Sequence, residues 1–281
     1  MTAHESQQVR RANDSGAQPI VFVHGLWLLG GSWGRWADFF AERGFSPVVV
    51  DWPGDQASVA DAHANPASLA GLSVTEVADH VAEVASGLNR RPVLVGHSFG
   101  GLLVQMLAGR GLAAATVAID PAPSQGVLPL PFSAIKASFP VLRNPLNARR
   151  AVTLTFEQFR YGFANAVPED EARSLYEEFH TPAPGRPLFQ AATANLNPWA
   201  KTKVDRKNPE RGPMLLISGE SDNIVPPALT KAAYKKQARN KASTTELFTV
   251  PGAGHSLVID SHWTTVAQAA HDFIQGQEKS A

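Results

Sequence analysis

Short, mainly apolar runs punctuate the chain at wide intervals, and between most of them the apolar residues recur every three or four positions instead. The runs are Ile20 to Val23, Ser46 to Val50, Pro92 to Val95, Thr116 to Ile119, Met214 to Ile217 and Leu247 to Val250. A segment of this length that is apolar on both sides of the pleat belongs to a strand covered on both faces. The stretches between them read as helices. In SWGRWADFFAERG, Trp33, Trp36 and Phe40 share one face, Ser32 stands where a cap is expected, and Gly44 stands where a left-handed ending is expected. Ser73-Val74-Thr75-Glu76 is a capping box, and Val77, Val81, Val84 and Leu88 line one face of the helix it opens. Further helices are expected over Ala228 to Arg239 and Thr264 to Ile274. Strand followed by helix, repeated, predicts an α/β fold, a mostly parallel sheet with helices on both faces.

The alternation stops between residues 122 and 211. Many of the chain's 21 prolines fall there. Two amphipathic patterns remain, one through Phe156, Phe159, Phe163 and Val167, the other through Ala172, Leu175, Tyr176 and Phe179. Pro168 followed by Glu169, Asp170 and Glu171 supplies a helix start with acids against the dipole. The expected organisation is a core from residues 19–121 and 212–281, a helical cap inserted over 122–211, and a flexible polar tail over 1–18. A chain of 281 residues suits one large domain with an insertion.

Composition narrows the possible partners. Hydrophobic residues make up 44% and charged ones 18%, enough for a sizeable core. Twenty-five Lys and Arg balance 25 Asp and Glu, so no overall field draws a polyanion and nucleic acid is not expected as a partner. There is no cysteine, hence no disulfide and no thiolate metal site. The histidines show neither H-x-H nor H-E-x-x-H spacing, and no G-x-G-x-x-G opens a helix after a strand, so no metal or other cofactor is expected. The first residues lack the apolar centre of a signal peptide and no run of 18 apolar residues occurs, so a cytoplasmic protein without membrane contact is expected.

The chemistry is announced by VLVGHSFGG, residues 93 to 101. Ser98 lies in a tight strand-to-helix turn between Gly96 and Gly100, where a Cβ on either side would clash. Such a turn exposes the hydroxyl above the carboxyl edge of the sheet and aims helix N–H groups at any charge that develops there. A serine at its ordinary pKa is a weak nucleophile and needs a base oriented by an acid. Asp222, in the loop after the Met214 strand, and His255, in the loop after the Leu247 strand, offer both. Asp120 also follows a strand and is the rival acid. His24 and His97 flank these loops and are expected to hydrogen-bond backbone.

His24-Gly25, GHSFGG, GESDNIVP and GAGHS, in that order, resemble the α/β-hydrolase fold superfamily from about Pro19 to the last helix. The opening VFVHGLWLLGGSWGRW is similar to the hydroxynitrile lyase and methylesterase-like members, and there is no room before it for an N-terminal hairpin, so about six strands are expected. The resemblance implies a serine hydrolase of a small ester or lactone, acting as a monomer or homodimer. It implies Ser98, His255 and Asp222 as the triad and the backbone N–H groups of Leu26 and Phe99 as the oxyanion hole. Trp27, Phe132, Phe156 and Trp199 are expected to line the pocket. Two other readings stand beside it. One is a lyase that keeps the triad and adds a lysine, for which Lys201 or Lys203 would serve; the other is a ligand receptor on a hydrolase scaffold.

Overall fold

The computed structural model describes residues 1–128 and 131–278. Its strands are β1 (Gln18–Val23), β2 (Phe45–Val50), β3 (Val93–His97), β4 (Ala115–Ile119), β5 (Ala151–Val152), β6 (Ala183–Pro184), β7 (Met214–Gly219) and β8 (Thr245–Val250). The helices are α1 (Ala3–Ser15), α2 (Gly34–Ala41), α3 (Val59–Ala64), α4 (Val74–Ser86), α5 (Phe99–Gly109), α6 (Phe132–Leu142), α7 (Phe156–Gly162), α8 (Glu169–Phe179), α9 (Arg186–Thr193), α10 (Pro227–Gln237) and α11 (Trp263–Glu278). Six strands form one sheet in the order β2-β1-β3-β4-β7-β8, and every pairing in it is parallel. The α/β-hydrolase architecture with six strands is therefore as expected.

The apolar runs form strands because both faces are covered. Val21, Phe22 and Val23 of β1 and Leu94 and Val95 of β3 are fully buried. Strand order reverses between β1 and β3, since β2 lies on one side of β1 and β3 and β4 on the other. The loops leaving β1 and β3 therefore diverge and open a crevice at their carboxyl ends, which is where such sheets bind ligands. On one face Phe22 packs against Trp33, Trp36 and Phe40 with ring centroids 5.3 to 6.3 Å apart. Ser73 and Glu76 cap α4 reciprocally, and Gly44 closes the α2 segment at φ 85°. Ser32 does not cap α2. Its hydroxyl donates to the Leu29 carbonyl within a 3₁₀ turn, and the α-helix starts two residues later, at Gly34.

The amino-terminal residues correct an expectation. They form α1, capped by a reciprocal Thr2–Glu5 box and ended by Gly16 in a left-handed turn. The buried side of α1 is half polar, which is why its pattern reads as a tail: Glu5, Gln8, Val9 and Ala12 are all buried. Each polar group is paired. Gln8 donates to the Val49 carbonyl at 3.1 Å and accepts from the Val49 N–H at 2.8 Å, so one side-chain amide covers the open edge of β2. Glu5 Oε1 meets His80 Nε2 at 2.9 Å. An unpaired edge strand invites association, and α1 removes that invitation here.

Between β4 and β7 the chain leaves the sheet for α6 to α9 and a two-stranded antiparallel ribbon, β5-β6. The Phe156 pattern ends early: α7 stops at Gly162, and Phe163 caps it, its N–H still donating to the Phe159 carbonyl. No helix among the described residues is long and apolar enough to cross a membrane.

Candidate active site

Ser98 has φ 56° and ψ −118°, a conformation that costs a non-glycine residue about 1 to 3 kcal/mol and persists only where its surroundings enforce it. They do so from three sides. Ser98 N–H donates to the Ile119 carbonyl at 2.9 Å, and the Ser98 carbonyl accepts from Leu102 and Ala122 at 3.1 and 2.9 Å. A Cβ on Gly96 would overlap the Gly100 carbonyl, one on Gly100 the Val23 carbonyl, and one on Gly25 would lie 2.7 Å from Ser98 Cβ. The elbow is thus wedged against the loop that leaves β1. That loop carries Leu26, whose N–H has no acceptor in the chain among the described residues, while the Phe99 N–H is one of the free donors of the first turn of α5.

Asp222 follows β7 in a turn that satisfies its carboxylate. Oδ1 accepts from the Ile224 and Val225 N–H groups at 2.7 and 2.8 Å, and Oδ2 accepts from His255 Nδ1 at 2.6 Å. Both residues are buried, His255 completely. Because Nδ1 donates to Asp222, Nε2 carries the lone pair, and it is buried without a hydrogen-bond partner. Ser98 Oγ therefore does not bond to it in this structure. Ser98 is itself only 5% exposed, so the three residues lie in a closed site.

Two further histidines hydrogen-bond backbone, and their pKa values are displaced in opposite directions. His97 Nε2 donates to the His255 carbonyl at 2.9 Å, and the two rings lie 4.6 Å apart. Burial and the neighbouring His255 hold the His97 pKa well below the usual imidazole range, so it stays neutral. Burial also disfavours charge on His24, but Asp55, the Gly25 carbonyl and Asp51 together outweigh it and raise the pKa. His24 Nδ1 donates to Gly25 O and Nε2 to Asp55 Oδ2, each at 2.8 Å, while Trp52 stacks on the ring and donates to the His24 carbonyl. The His24 ring, held at both nitrogens, thus fastens the base of the Leu26 loop.

The expected pocket residues separate. Trp27, in the loop after β1, has a left-handed φ of 64°. Its indole donates to the Val152 carbonyl of β5 at 3.0 Å, and its carbonyl accepts from Thr181 at 3.1 Å. Its ring meets Phe163 edge-on, and Phe163 in turn lies edge-on to His255 with centroids 4.9 Å apart. Phe132 and Trp199 are 78% and 81% exposed, outside the buried packing around His255. Phe156 is half-buried beside Tyr176 and Arg173. Phe163, which the sequence pattern groups with Phe156 and Phe159, is the phenylalanine that meets the His255 ring. Lys201 and Lys203 are both exposed.

Among solved structures, a Paleococcus ferrophilus monoacylglycerol lipase matches with 22% identity and a TM-score of 0.66, over 91% of this chain and 93% of that one. The methylesterase MES16 from Arabidopsis matches with 18% identity and a TM-score of 0.63, over 92% and 99%. An extracellular α/β-hydrolase from a Paenibacillus species matches with 18% identity and a TM-score of 0.64, over 89% and 96%. A search of curated protein sequences finds no match. The model of the alpha/beta hydrolase family matches residues 20–269. With that span covering the whole sheet and every loop of the site, the chain belongs to the alpha/beta hydrolase family.

Proposed function

We propose that the protein is a cofactor-independent serine hydrolase that cleaves a small carboxylic ester or lactone through an acyl-enzyme on Ser98. The observation that carries the reading is the pair at the crevice: a serine held at φ 56° between β3 and α5, and a buried imidazole whose Nδ1 is bound to Asp222 while its Nε2 is unpartnered. His255 takes the Ser98 proton as Oγ attacks the carbonyl carbon. Asp222 holds the imidazole in the tautomer that presents a lone pair and stabilises it once charged. The N–H groups of Leu26 and Phe99 receive the negative charge on the carbonyl oxygen. His255 then protonates the departing alkoxide, and water, activated by the same nitrogen, releases the acid. One oxyanion donor contributes about 3 to 4 kcal/mol to such a step. The names of the lipase and methylesterase relatives support an ester as the scissile bond.

Release of p-nitrophenol from acetate, butyrate and octanoate esters, by the wild type and Ser98→Ala in parallel, tests the reading. Activity that falls on the order of a million-fold in the variant supports it, and the chain-length preference sizes the cavity. Wild-type protein that neither turns over esters nor reacts with a fluorophosphonate at Ser98 overturns it.

A further inference from the structure

The chain balances 25 Lys and Arg against 25 Asp and Glu, yet the balance fails at one place on its surface. A cleft of about 930 Å³ opens between residues 203–207, which precede β7, and the end of α10. Six of its nine lining residues are cations: Lys203, Arg206, Lys207, Lys236, Arg239 and Lys241. Asp205 is the single carboxylate in the lining. Among the described residues, no ion pair reaches any of the six.

Two of these cations are brought to one turn. Arg206 donates from Nη2 to Ser124 Oγ and to the Gln125 carbonyl, each at 2.7 Å. Lys236 Nζ lies beside Gly126, where an added Cβ would come within 3.5 Å of it. Burial, with Arg239 next in size, lowers the Arg206 pKa; burial, followed by Arg206 and Arg239, lowers that of Lys236. The like charges therefore repel, and an anion seated among them relieves that repulsion.

Ordinary causes account for only part of the cluster. Cations in the last turn of a helix complement its dipole, which covers Lys235 and Lys236. Lys241 donates to the Ala238 carbonyl at 3.0 Å and so helps close that helix end. Neither cause explains Lys203, Arg206 and Lys207, which face the same end from a segment with no regular structure.

We propose that this cleft binds a small polyphosphate anion, free or carried by a nucleotide. Its volume lies in the range of small-molecule sites, and guanidinium and ammonium donors set close together match a chain of phosphoryl groups that packs several negative charges into a short length. The cleft is separate from the Ser98 crevice. Helix α5 begins beside Ser98 and α10 begins shortly after Asp222, whereas the cleft lies at their other ends, where Asn208 donates to the Gly109 carbonyl and Asn240 to the Asn208 carbonyl. Each helix has 11 residues, a span of about 16 Å. The inference therefore stands apart from the hydrolase reading.

Isothermal titration calorimetry of the full chain at low ionic strength, with inorganic tripolyphosphate, ATP, orthophosphate and a short polyglutamate peptide, tests it. Tripolyphosphate is expected to bind with a Kd below about 1 mM, at least about tenfold tighter than orthophosphate. Lys236→Gln and Arg239→Gln are each expected to weaken it about tenfold, through loss of a charge-assisted contact. Lys231→Gln and Lys235→Gln remove the same charge from exposed positions of α10 outside the cleft and should leave the affinity unchanged. All four variants should melt with the wild type and keep its ester turnover. Equal affinities for ATP and tripolyphosphate would assign the site to the phosphate chain alone, and tighter binding of ATP would show that the nucleoside enters too; either upholds the proposal. Three results overturn it: no binding at about 10 mM tripolyphosphate, equal losses in all four variants, which mark a diffuse field rather than a site, or tighter binding of the peptide than of tripolyphosphate.

Discussion

The turns at the carboxyl edge of the sheet and the helical segment inserted between β4 and β7 place side chains by different means. At the sheet edge the backbone does the placing. Ser98, Asp222 and His255 each follow a strand whose register is set by its neighbours, and carbonyls and N–H groups of adjacent loops pin the turns. In the cap, position is set by side chain against side chain. Phe159 stacks on Phe163 at 5.1 Å, Tyr176 stacks on His180 at 4.5 Å, and Phe163 closes on His255. Backbone turns tolerate almost no substitution but ask little of their neighbours' identity. Aromatic packing tolerates repacking at graded cost.

The sharpest way to break the contrast is at Gly100. A methyl there would overlap the Val23 carbonyl and approach that of His24, both backbone atoms with nowhere to go. Gly100→Ala is expected to cost more than about 4 to 5 kcal/mol and to yield no folded, fluorophosphonate-reactive protein, as judged by circular dichroism and labelling. A folded variant with wild-type melting would mean that the elbow is softer than this packing implies. Phe163→Ala should come next, at about 3 to 5 kcal/mol in urea unfolding, because the ring is fully buried between Phe159, Trp27 and His255. Phe163→Leu should recover most of that stability, which no substitution at Gly100 would do.

These unequal tolerances explain what could be read from the chain beforehand. The elbow was legible because Gly96 and Gly100 are demanded locally, within five residues, and His255 and Asp222 because each stands in a glycine-bearing loop after an apolar run. The cap was not, because α6, α9 and the β5-β6 ribbon are fixed by contacts from distant segments. An aromatic at helical spacing does not reveal whether its ring faces the core, as Phe159 does, or solvent, as Phe132 does. Helix α1 was illegible for a related reason. Its buried face carries Glu5 and Gln8, whose partners His80 and the Val49 backbone are far away in sequence.

A smaller effect separates core from cap through pH. His180 closes α8, buried, with Tyr176 on one side and Phe159 at its edge, and its Nε2 accepts from the Leu154 N–H at 3.3 Å. Burial, then the nearby His63, pushes its pKa down to about 3. The folded protein keeps His180 neutral while the unfolded chain protonates it below about 6.5. The unfolded state therefore binds more protons, and stability falls as pH drops from about 6.5 toward 3, by up to about 1.4 kcal/mol per pH unit from this residue. Urea midpoints at pH 7, 6 and 5 should show a shallower decline in His180→Phe than in the wild type. Identical slopes would place the acid sensitivity elsewhere.

The smallest expected effects lie at Phe132 and Trp199, where the contrast between core and cap gives way to solvent. Both are large and apolar, and both were natural candidates for a pocket wall, yet at 78% and 81% exposure neither has much surface left to lose. Replacing each with serine should change stability by no more than about 0.5 kcal/mol, because little apolar area leaves or enters water. Turnover of a short acyl ester should stay at the wild-type value, since both rings face solvent rather than the buried residues around Ser98. A long acyl chain makes the comparison sharper. If KM for octanoate rises in Phe132→Ser or Trp199→Ser while KM for acetate does not, the exposed rings grip the part of the substrate that projects from the crevice. If both KM values hold, the cap's specificity resides in the buried stack alone, and Trp27 and Phe163 become the positions at which chain-length preference can be rewritten.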